Sequence, residues 1–399
     1  MSGKKRNVFA FFTGVSIAAL GAATPALAQQ TTTAEQARVP DEIIVTAQKR
    51  EQNIQDVPIA VTALSGNQLE RAGIVDIRAL QTLSASFNLN SSQTESGGTT
   101  IRIRGVGTTG NNSGLESSVG VFIDGVYISR PAIALGELLD VQQVEILRGP
   151  QGTLFGRNTS AGALTISTRA PSLDKFGAFA NTTIGAIDGG DFGGVFSAQG
   201  GVNIPLVTDK LAIRIAAAGR TRDNLLTSTS NGIKQNTRDR YYVRGQALWA
   251  PTDDISVRVI IDHQEGHDNC CDAVILKTAD VAPFFAASGL PANGGVLASG
   301  FGALDSRQSN SNGQFKDPGE QTGVSAQVDW DLGWGKLTYI GSDRSAESRG
   351  NQQDDFSGIN TYSVGKGSSV DTGQIAVGLG TTDYILHELR LAGEAGNFA

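Results

Sequence analysis

Beyond residue 171, apolar and polar positions alternate with a period of two, segment after segment. In "KLAIRIAAAGR" Leu211, Ile213, Ile215 and Ala217 fall on one side and Ala212, Arg214, Ala216 and Arg220 on the other. "ISVRVIID" sets Ile255, Val257, Val259 and Ile261 against Ser256, Arg258 and Asp262. "VSAQVDWDL" sets Val324, Ala326, Val328, Trp330 and Leu332 against Ser325, Gln327, Asp329 and Asp331. Such alternation predicts strands with two chemically different faces. The links are by turns short ("PLVTDK", "PTDD", Gly333-Trp334-Gly335) and long, the long ones being "TRDNLLTSTSNGIKQNTRDR", 264–321 and 345–382. A soluble sandwich also alternates, but it gives no reason for long loops to gather at one end. A membrane barrel does, with tight turns at one rim and large loops at the other. Its wall turns apolar residues to lipid, which places Arg214, Arg258, Asp329 and Asp331 in the lumen; Trp249, Trp330, Tyr241 and Tyr339 suit the interfacial girdle.

Residues 57–171 follow a different pattern, mixing short helices and strands. Ser65-Gly66-Asn67-Gln68 fits a capping box, and Gly73 is placed to stop the helix that follows. "TIRIRG" alternates Ile101 and Ile103 with Arg102 and Arg104, while "VGVFIDGVYIS" folds back at Asp124-Gly125, a hairpin signal. "QVEILRG" and "GALTISTR" add two strands. The pattern predicts an α+β domain ahead of an antiparallel barrel wall.

The start of the chain says where this architecture works. A basic opening (Lys4, Lys5, Arg6), an apolar run from Val8 to Ala23 and the A-x-A site Ala26-Leu27-Ala28 form a secretory signal over 1–28. The run is short and Gly-interrupted for a spanning helix, and no later stretch is long and apolar enough to be one. An exported chain of this kind enters a membrane only as a closed barrel. The net charge is −7 over 399 residues, and loss of the leader makes it more acidic. That balance excludes charge-driven binding of nucleic acid or anionic lipid.

Candidate chemistry is sparse. "HQEGHDNCC" (263–271) brings His263, His267, Cys270 and Cys271 together. Three readings stay open: a vicinal Cys270–Cys271 disulfide stiffening a loop, an unpaired pair, or a soft-metal set, the last opposed by the strain of adjacent ligands. Phe284 and Phe285 in the same loop offer apolar contact to a ligand or pack the loop itself. Ser172 to Lys175 fits S-x-x-K, but no S-D-N or K-T-G follows, so it reads as a linker. The glycines of "RGPQGTLFGRNTSAG" lack the G-K-[ST] of a phosphate cradle and read as turn formers where backbone passes close to a wall. Neither an enzyme nor a resident cofactor or metal is expected. One oddity remains: "DEIIVT" (41–46) is strand-like, yet a polar, Thr-rich tail precedes it. It is either the first strand of the α+β sheet or a strand awaiting a partner.

With "DEIIVTAQKREQNIQDVPIAVTALSG", "IRIRGVG", "VGVFIDGVYISR" and above all "LRGPQGTLFGRNTSAG" (147–162) read in order, the chain resembles the TonB-dependent receptors of the bacterial outer membrane. The resemblance implies a plug domain at 57–171 seated in a barrel of about 22 strands, of which residues 172–399 supply about eight. Eight strands close only around their own side chains, so the sheet is expected to stand open, as part of a barrel lacking most of its strands. It implies a periplasmic tail at 29–56 whose Glu42, Ile43, Ile44, Val45 and Thr46 form a TonB box, paired by β-augmentation with a TonB-type energy transducer. It further implies a plug motif and latch at Glu145, Arg148, Gly149, Pro150, Gly152, Phe155, Gly156 and Arg157, with Glu145 and Arg148 meeting wall charges of opposite sign. The implied partners are outer-membrane lipid, the transducer and an extracellular ligand such as a ferric siderophore; cobalamin, oligosaccharide or aromatic cargo, or a surface adhesin without energised transport, are the alternatives.

Overall fold

The structure is a computed structural model that describes residues 43–91, 99–108, 116–129, 138–187, 193–229, 231–269, 272–276, 299–311, 316–353 and 374–393. The leader, the tail through Glu42, the Cys270–Cys271 pair and Phe284–Phe285 lie outside the described residues.

A short antiparallel pair comes first, β1 (Ile44–Val45) with β2 (Gln52–Asn53). Next come β3 (Val61–Ser65), α1 (Gly66–Arg71), a 3-10 turn over Ile77–Thr82, β4 (Phe87–Ser91) and β5 (Thr99–Ile103). They are followed by β6 (Val119–Ile123), β7 (Val126–Ile128), β8 (Val141–Arg148), α2 (Gly152–Phe155) and β9 (Gly162–Thr168). The central sheet has the order β3-β8-β9-β6-β7, with β6 and β9 parallel and the other neighbours antiparallel. Local chemistry explains its corners. Gln68 N donates to Ser65 Oγ at 3.3 Å and Ser65 N donates to Gln68 Oε1 at 2.8 Å, which closes the capping box at the head of α1. Gly73, at φ 65°, ends that helix. Asp124 and Gly125 both take positive φ, 48° and 80°, as a two-residue hairpin turn needs.

This domain buries apolar side chains on both sides of its sheet. One side packs Leu69, Ile77, Leu80, Phe87, Leu89, Ile101, Val144 and Ile146. The other packs Val45, Ala47, Val57, Phe122, Leu147 and Ala163. The strand-like hexapeptide therefore contributes to the second core.

The wall comprises β10 (Gly177–Ile187), β11 (Gly193–Val207), β12 (Leu211–Arg222), β15 (Arg238–Trp249), β16 (Ile255–Asn269), β18 (Lys316–Asp331), β19 (Gly335–Gln353) and β20 (Gln374–Gly393). These eight strands pair antiparallel, each with its neighbour in the order given. Between them β13 (Leu226–Ser228), β14 (Lys234–Gln235), α3 (Gly300–Asp305) and β17 (Gln308–Ser309) belong to the long connections; β14-β13-β17 form a sheet of their own. Among the described residues β10 and β20 do not pair with each other, so the sheet is open.

Two expectations need correction. The stretches 264–321 and 345–382 are partly strand, since β16 continues to Asn269, β18 begins at Lys316, and β19 and β20 run on to Gln353 and from Gln374. A span of lipid needs only about 9–11 strand residues. Strands of 19 and 20 residues exceed that; the extra length of β19, "SAESRGNQQ", is almost wholly polar and lacks the alternation that marks a strand, whereas that of β20, "QIAVGLGTT", still alternates at Ile375, Val377 and Leu379. Asp331 does not line the lumen: its Oδ1 accepts from Gly333 N at 2.8 Å and closes the turn into β19.

Candidate functional site

The inward face of the wall meets the plug through charge, and the strand period decides which residues can take part. Arg214 on β12 and Arg258 on β16 occupy the polar phase predicted from sequence, and both reach the plug. Arg214 donates Nε to Asp140 Oδ2 at 2.5 Å and Nη2 to Asp140 Oδ1 at 2.7 Å, a bidentate pair in which Asp140 is almost wholly buried. Arg258 approaches Asp124 Oδ1 at 3.4 Å and donates Nη2 to Thr168 Oγ1 at 2.8 Å. Thr168 in turn donates N and Oγ1 to Asp124 at 2.9 and 2.8 Å, so the hairpin-turn carboxylate is fixed from both sides. Arg220 and Arg238 converge on Asp76 Oδ2 at 2.8 and 3.3 Å. Burial alone would raise the Asp76 pKa; the two guanidiniums and the Ala79 amide outweigh it and hold the carboxyl below its ordinary value. One contact has the opposite polarity: Lys49 Nζ meets Glu388 Oε1 on β20 at 2.6 Å and lies 5.4 Å from the Phe155 ring centroid.

The plug thus presents carboxylates to wall arginines at three places. Glu145 and Arg148 do not make these contacts. The Glu145 carboxylate accepts from Thr46 N (2.7 Å), Thr46 Oγ1 (3.1 Å), Gln143 Nε2 (2.9 Å) and Thr165 Oγ1 (3.4 Å), all within the plug. Burial pushes its pKa up, against those four hydrogen bonds. Arg148 donates Nη2 to Val61 O at 3.2 Å and Thr62 Oγ1 at 3.0 Å on β3. The reason is the phase of β8: Glu145 shares the face of Leu147, which packs on Val45 and Ala47 rather than on the wall.

The rest of the "RGPQGTLFG" segment forms a turn around α2. Gly149 and Gly156 adopt φ 93° and 79°, the left-handed region that only glycine enters freely. A Cβ at Gly149, Gly152 or Gly156 would meet nothing within 4 Å, so close passage against a wall is not what these positions need. Nothing in the structure explains Gly152. Pro150 follows the Gly149 turn, Phe155 packs edge-on against Phe122 at 5.0 Å, and Arg157 makes an exposed pair with Glu116 at 3.3 Å. The close passage lies at Gly125, where a Cβ would come 2.7 Å from Ile340 Cδ1 of β19.

The residues of "DEIIVT" within the described structure are held in place. Ile43 and Ile44 are exposed while Val45 is fully buried. Ile54 N donates to Ile43 O at 2.9 Å, Gln143 Nε2 to Ile44 O at 3.0 Å, and Thr46 N to Glu145. The free tail strand that the resemblance implies is docked because Val45 and Ala47 find an apolar seat against Leu147, Phe122 and Ala163. Sequence reasoning missed Asp76, Asp124 and Asp140 as wall contacts; the visible signal was the inward arginines, which required carboxylates opposite them.

Ser172 Oγ donates to Asp174 Oδ1 at 2.5 Å, and Lys175 Nζ pairs with the same carboxylate at 3.4 Å. No group of three or more His, Cys, Asp or Glu among the described residues is arranged to hold a metal ion.

A family model described as TonB-dependent Receptor Plug Domain matches residues 53–163. The pesticin receptor of Yersinia pestis is 31% identical over 150 residues, covering 37% of this chain and 20% of that protein. The ferric yersiniabactin uptake receptor of Yersinia pestis superposes with a TM-score of 0.57 at 17% identity, over 74% of this chain and 42% of its own. The ferripyoverdine receptor of the outer membrane of Pseudomonas aeruginosa gives 0.57 at 14% identity, over 78% and 38%. At these identities the likeness to the solved structures is one of fold. The chain spans less than half the length of each of these relatives.

Proposed function

We infer, from the premise that this chain carries a TonB-dependent receptor plug domain at residues 53–163, that it works in the bacterial outer membrane as an energised importer of a scarce solute too large for general pores. The domain plan follows: a leader over 1–28, a periplasmic tail over 29–56, the plug over 57–171, and barrel strands over 172–399. One observation carries the reading. The plug is fastened to the inward face of a lipid-type wall by discrete ion pairs at Asp76, Asp124 and Asp140, a seat that a limited rearrangement can undo. Opening part of a domain costs less than unfolding all of it.

In this reading the transducer, powered by the inner-membrane proton gradient, supplies a strand that pairs with residues 42–46 and pulls. Ferric siderophore is the cargo class favoured by two of these relatives, named for ferric yersiniabactin and ferripyoverdine. The test is Ile44→Pro. Ile44 is exposed, so the change removes a strand donor without emptying the core. In a strain lacking the native gene, the variant should bind radiolabelled ferric siderophore at the cell surface yet fail to accumulate it. Accumulation at the wild-type rate would overturn the assignment of this segment. Accumulation that survives collapse of the proton gradient would favour a surface binding protein without energised transport.

A further inference from the structure

Strand β1 has two edges, and both are occupied. Toward β2, Val45 lies opposite Gln52 and Ile43 O accepts from Ile54 N. Residues two apart in an antiparallel strand direct their backbone groups to the same edge. The Ile44 carbonyl and the Thr46 N–H therefore belong to the opposite edge, the one through which a further strand could add.

That edge is filled by side chains. Gln143 Nε2 donates to Ile44 O at 3.0 Å, and Glu145 Oε1 accepts from Thr46 N at 2.7 Å. Gln143 and Glu145 are themselves two residues apart on β8, and Gln143 Nε2 also donates to Glu145 Oε1 at 2.9 Å. A donor stands opposite the carbonyl and an acceptor opposite the N–H, in the order that the backbone of a neighbouring strand would present. Simple burial does not require this arrangement. Ile44 is 42% exposed, so water could satisfy its carbonyl. Glu145 is 2% exposed and meets a segment 99 residues away in sequence.

We propose that Gln143 and Glu145 form a surrogate strand edge that occupies the docking edge of residues 44–46 and excludes a partner strand until it is displaced. The proposal rests on the reading of residues 42–46 as the transducer-binding segment. A partner strand entering there replaces two side-chain hydrogen bonds with two backbone ones, so the exchange is close to balanced and the surrogate acts as a gate on access.

The experiment uses the full chain, purified from outer membranes in detergent, with the variants Gln143→Leu and Gln143→Leu/Glu145→Leu. Leucine keeps side-chain volume beside Leu147 and Val45 while removing the polar mimic. Hydrogen exchange reads the Thr46 amide, and calorimetry reads binding of the transducer's purified C-terminal domain. The double variant should exchange at Thr46 at least tenfold faster and bind the domain about tenfold more tightly, with the single variant about threefold tighter, as expected for losing one or two competing hydrogen bonds. Faster exchange with unchanged or weaker binding would overturn the gate. If the β8 amides of the double variant lose protection, the single variant decides, and unchanged binding there overturns the proposal. A free peptide of residues 40–50 separates the two ideas: a domain that ignores the peptide and every protein form sinks the transducer reading and the gate with it, whereas a domain that binds the peptide but all protein forms equally sinks the gate alone.

Discussion

The plug and the wall obey opposite burial rules. In the plug Phe87, Ile101, Ile146 and Leu164 are buried to 2% exposure or less. In the wall Ile261, Ile385 and Leu389 stand outward at 58%, 69% and 71%, while Arg244, Gln246, Asp262 and Arg344 are buried on the inner side. The same alternating strand serves both, so burial in this molecule does not measure hydrophobicity. What differs is the medium each face meets. An outward Ile in the wall is solvated by hydrocarbon, and an inward Arg by fixed polar partners: Asp140 of the plug for Arg214, the Leu139 carbonyl for Arg244, and Asp262 of the wall itself for Arg344.

Four substitutions or conditions sharpen this contrast. Ile146→Ala empties the plug core and should cost roughly 2–5 kcal/mol there. Its three tryptophans report only on the wall, since Trp249, Trp330 and Trp334 all lie beyond the plug. Hydrogen exchange on β8 should therefore rise while tryptophan emission stays constant; a shift in both would mean that the two regions unfold as one. Val259→Arg, on the apolar face of β16, should do the reverse, costing about 2–4 kcal/mol of insertion at mid-bilayer depth. It would be read as reduced folding into lipid vesicles, and unimpaired insertion would contradict a lipid-facing wall. Next in size is Asp140→Asn, which tolerates the φ of 52° and removes only the charge facing Arg214. Facing that guanidinium with a neutral amide in place of the counter-charge should weaken seating of the plug by about 1.5–3 kcal/mol, seen as faster protease cleavage of the plug with the wall intact.

The smallest effect is one of pH. Asp76 has its folded pKa held below the ordinary carboxyl value of 3.8. Its contribution to seating is therefore present above that value and is lost as pH falls through the lower folded one. Plug amide exchange, corrected for its intrinsic dependence on pH, should stay flat from pH 7 to about 5 and climb below about 4, and Asp76→Asn should flatten that climb. A climb that persists unchanged in the variant would assign the acid sensitivity elsewhere.

Much of this could be read from the chain. The capping box at Ser65, the turn at Asp124-Gly125 and the inward phase of Arg214 and Arg258 are local signals, each fixed by residues a few positions apart, and the structure agrees with them. The count of about eight strands rested on the same periodicity. The failures are of two physical kinds. The outer length of β19, "SAESRGNQQ", gave no alternation to read, while that of β20, "QIAVGLGTT", carries Ile375, Val377 and Leu379 in alternation but sits behind a long polar, Gly-rich connection that hid it. The latch on Glu145 and Arg148 rests on the resemblance and on charge, although which face of β8 meets the wall is decided by tertiary packing. Nothing in "DEIIVT" announced that Val45 would find a seat beside Leu147, a residue that far along the chain.

Lys49 lies only three positions beyond Thr46, and its ammonium is tied to Glu388 on the outermost strand of the wall. In the proposed importer, traction arriving from the N-terminal side first loads the bonds that Ile44 and Thr46 make to Gln143 and Glu145 of β8. The Lys49 pair comes next and hands part of the strain to the wall before the pull reaches β3, so a single lysine divides the load between the stopper and its surround.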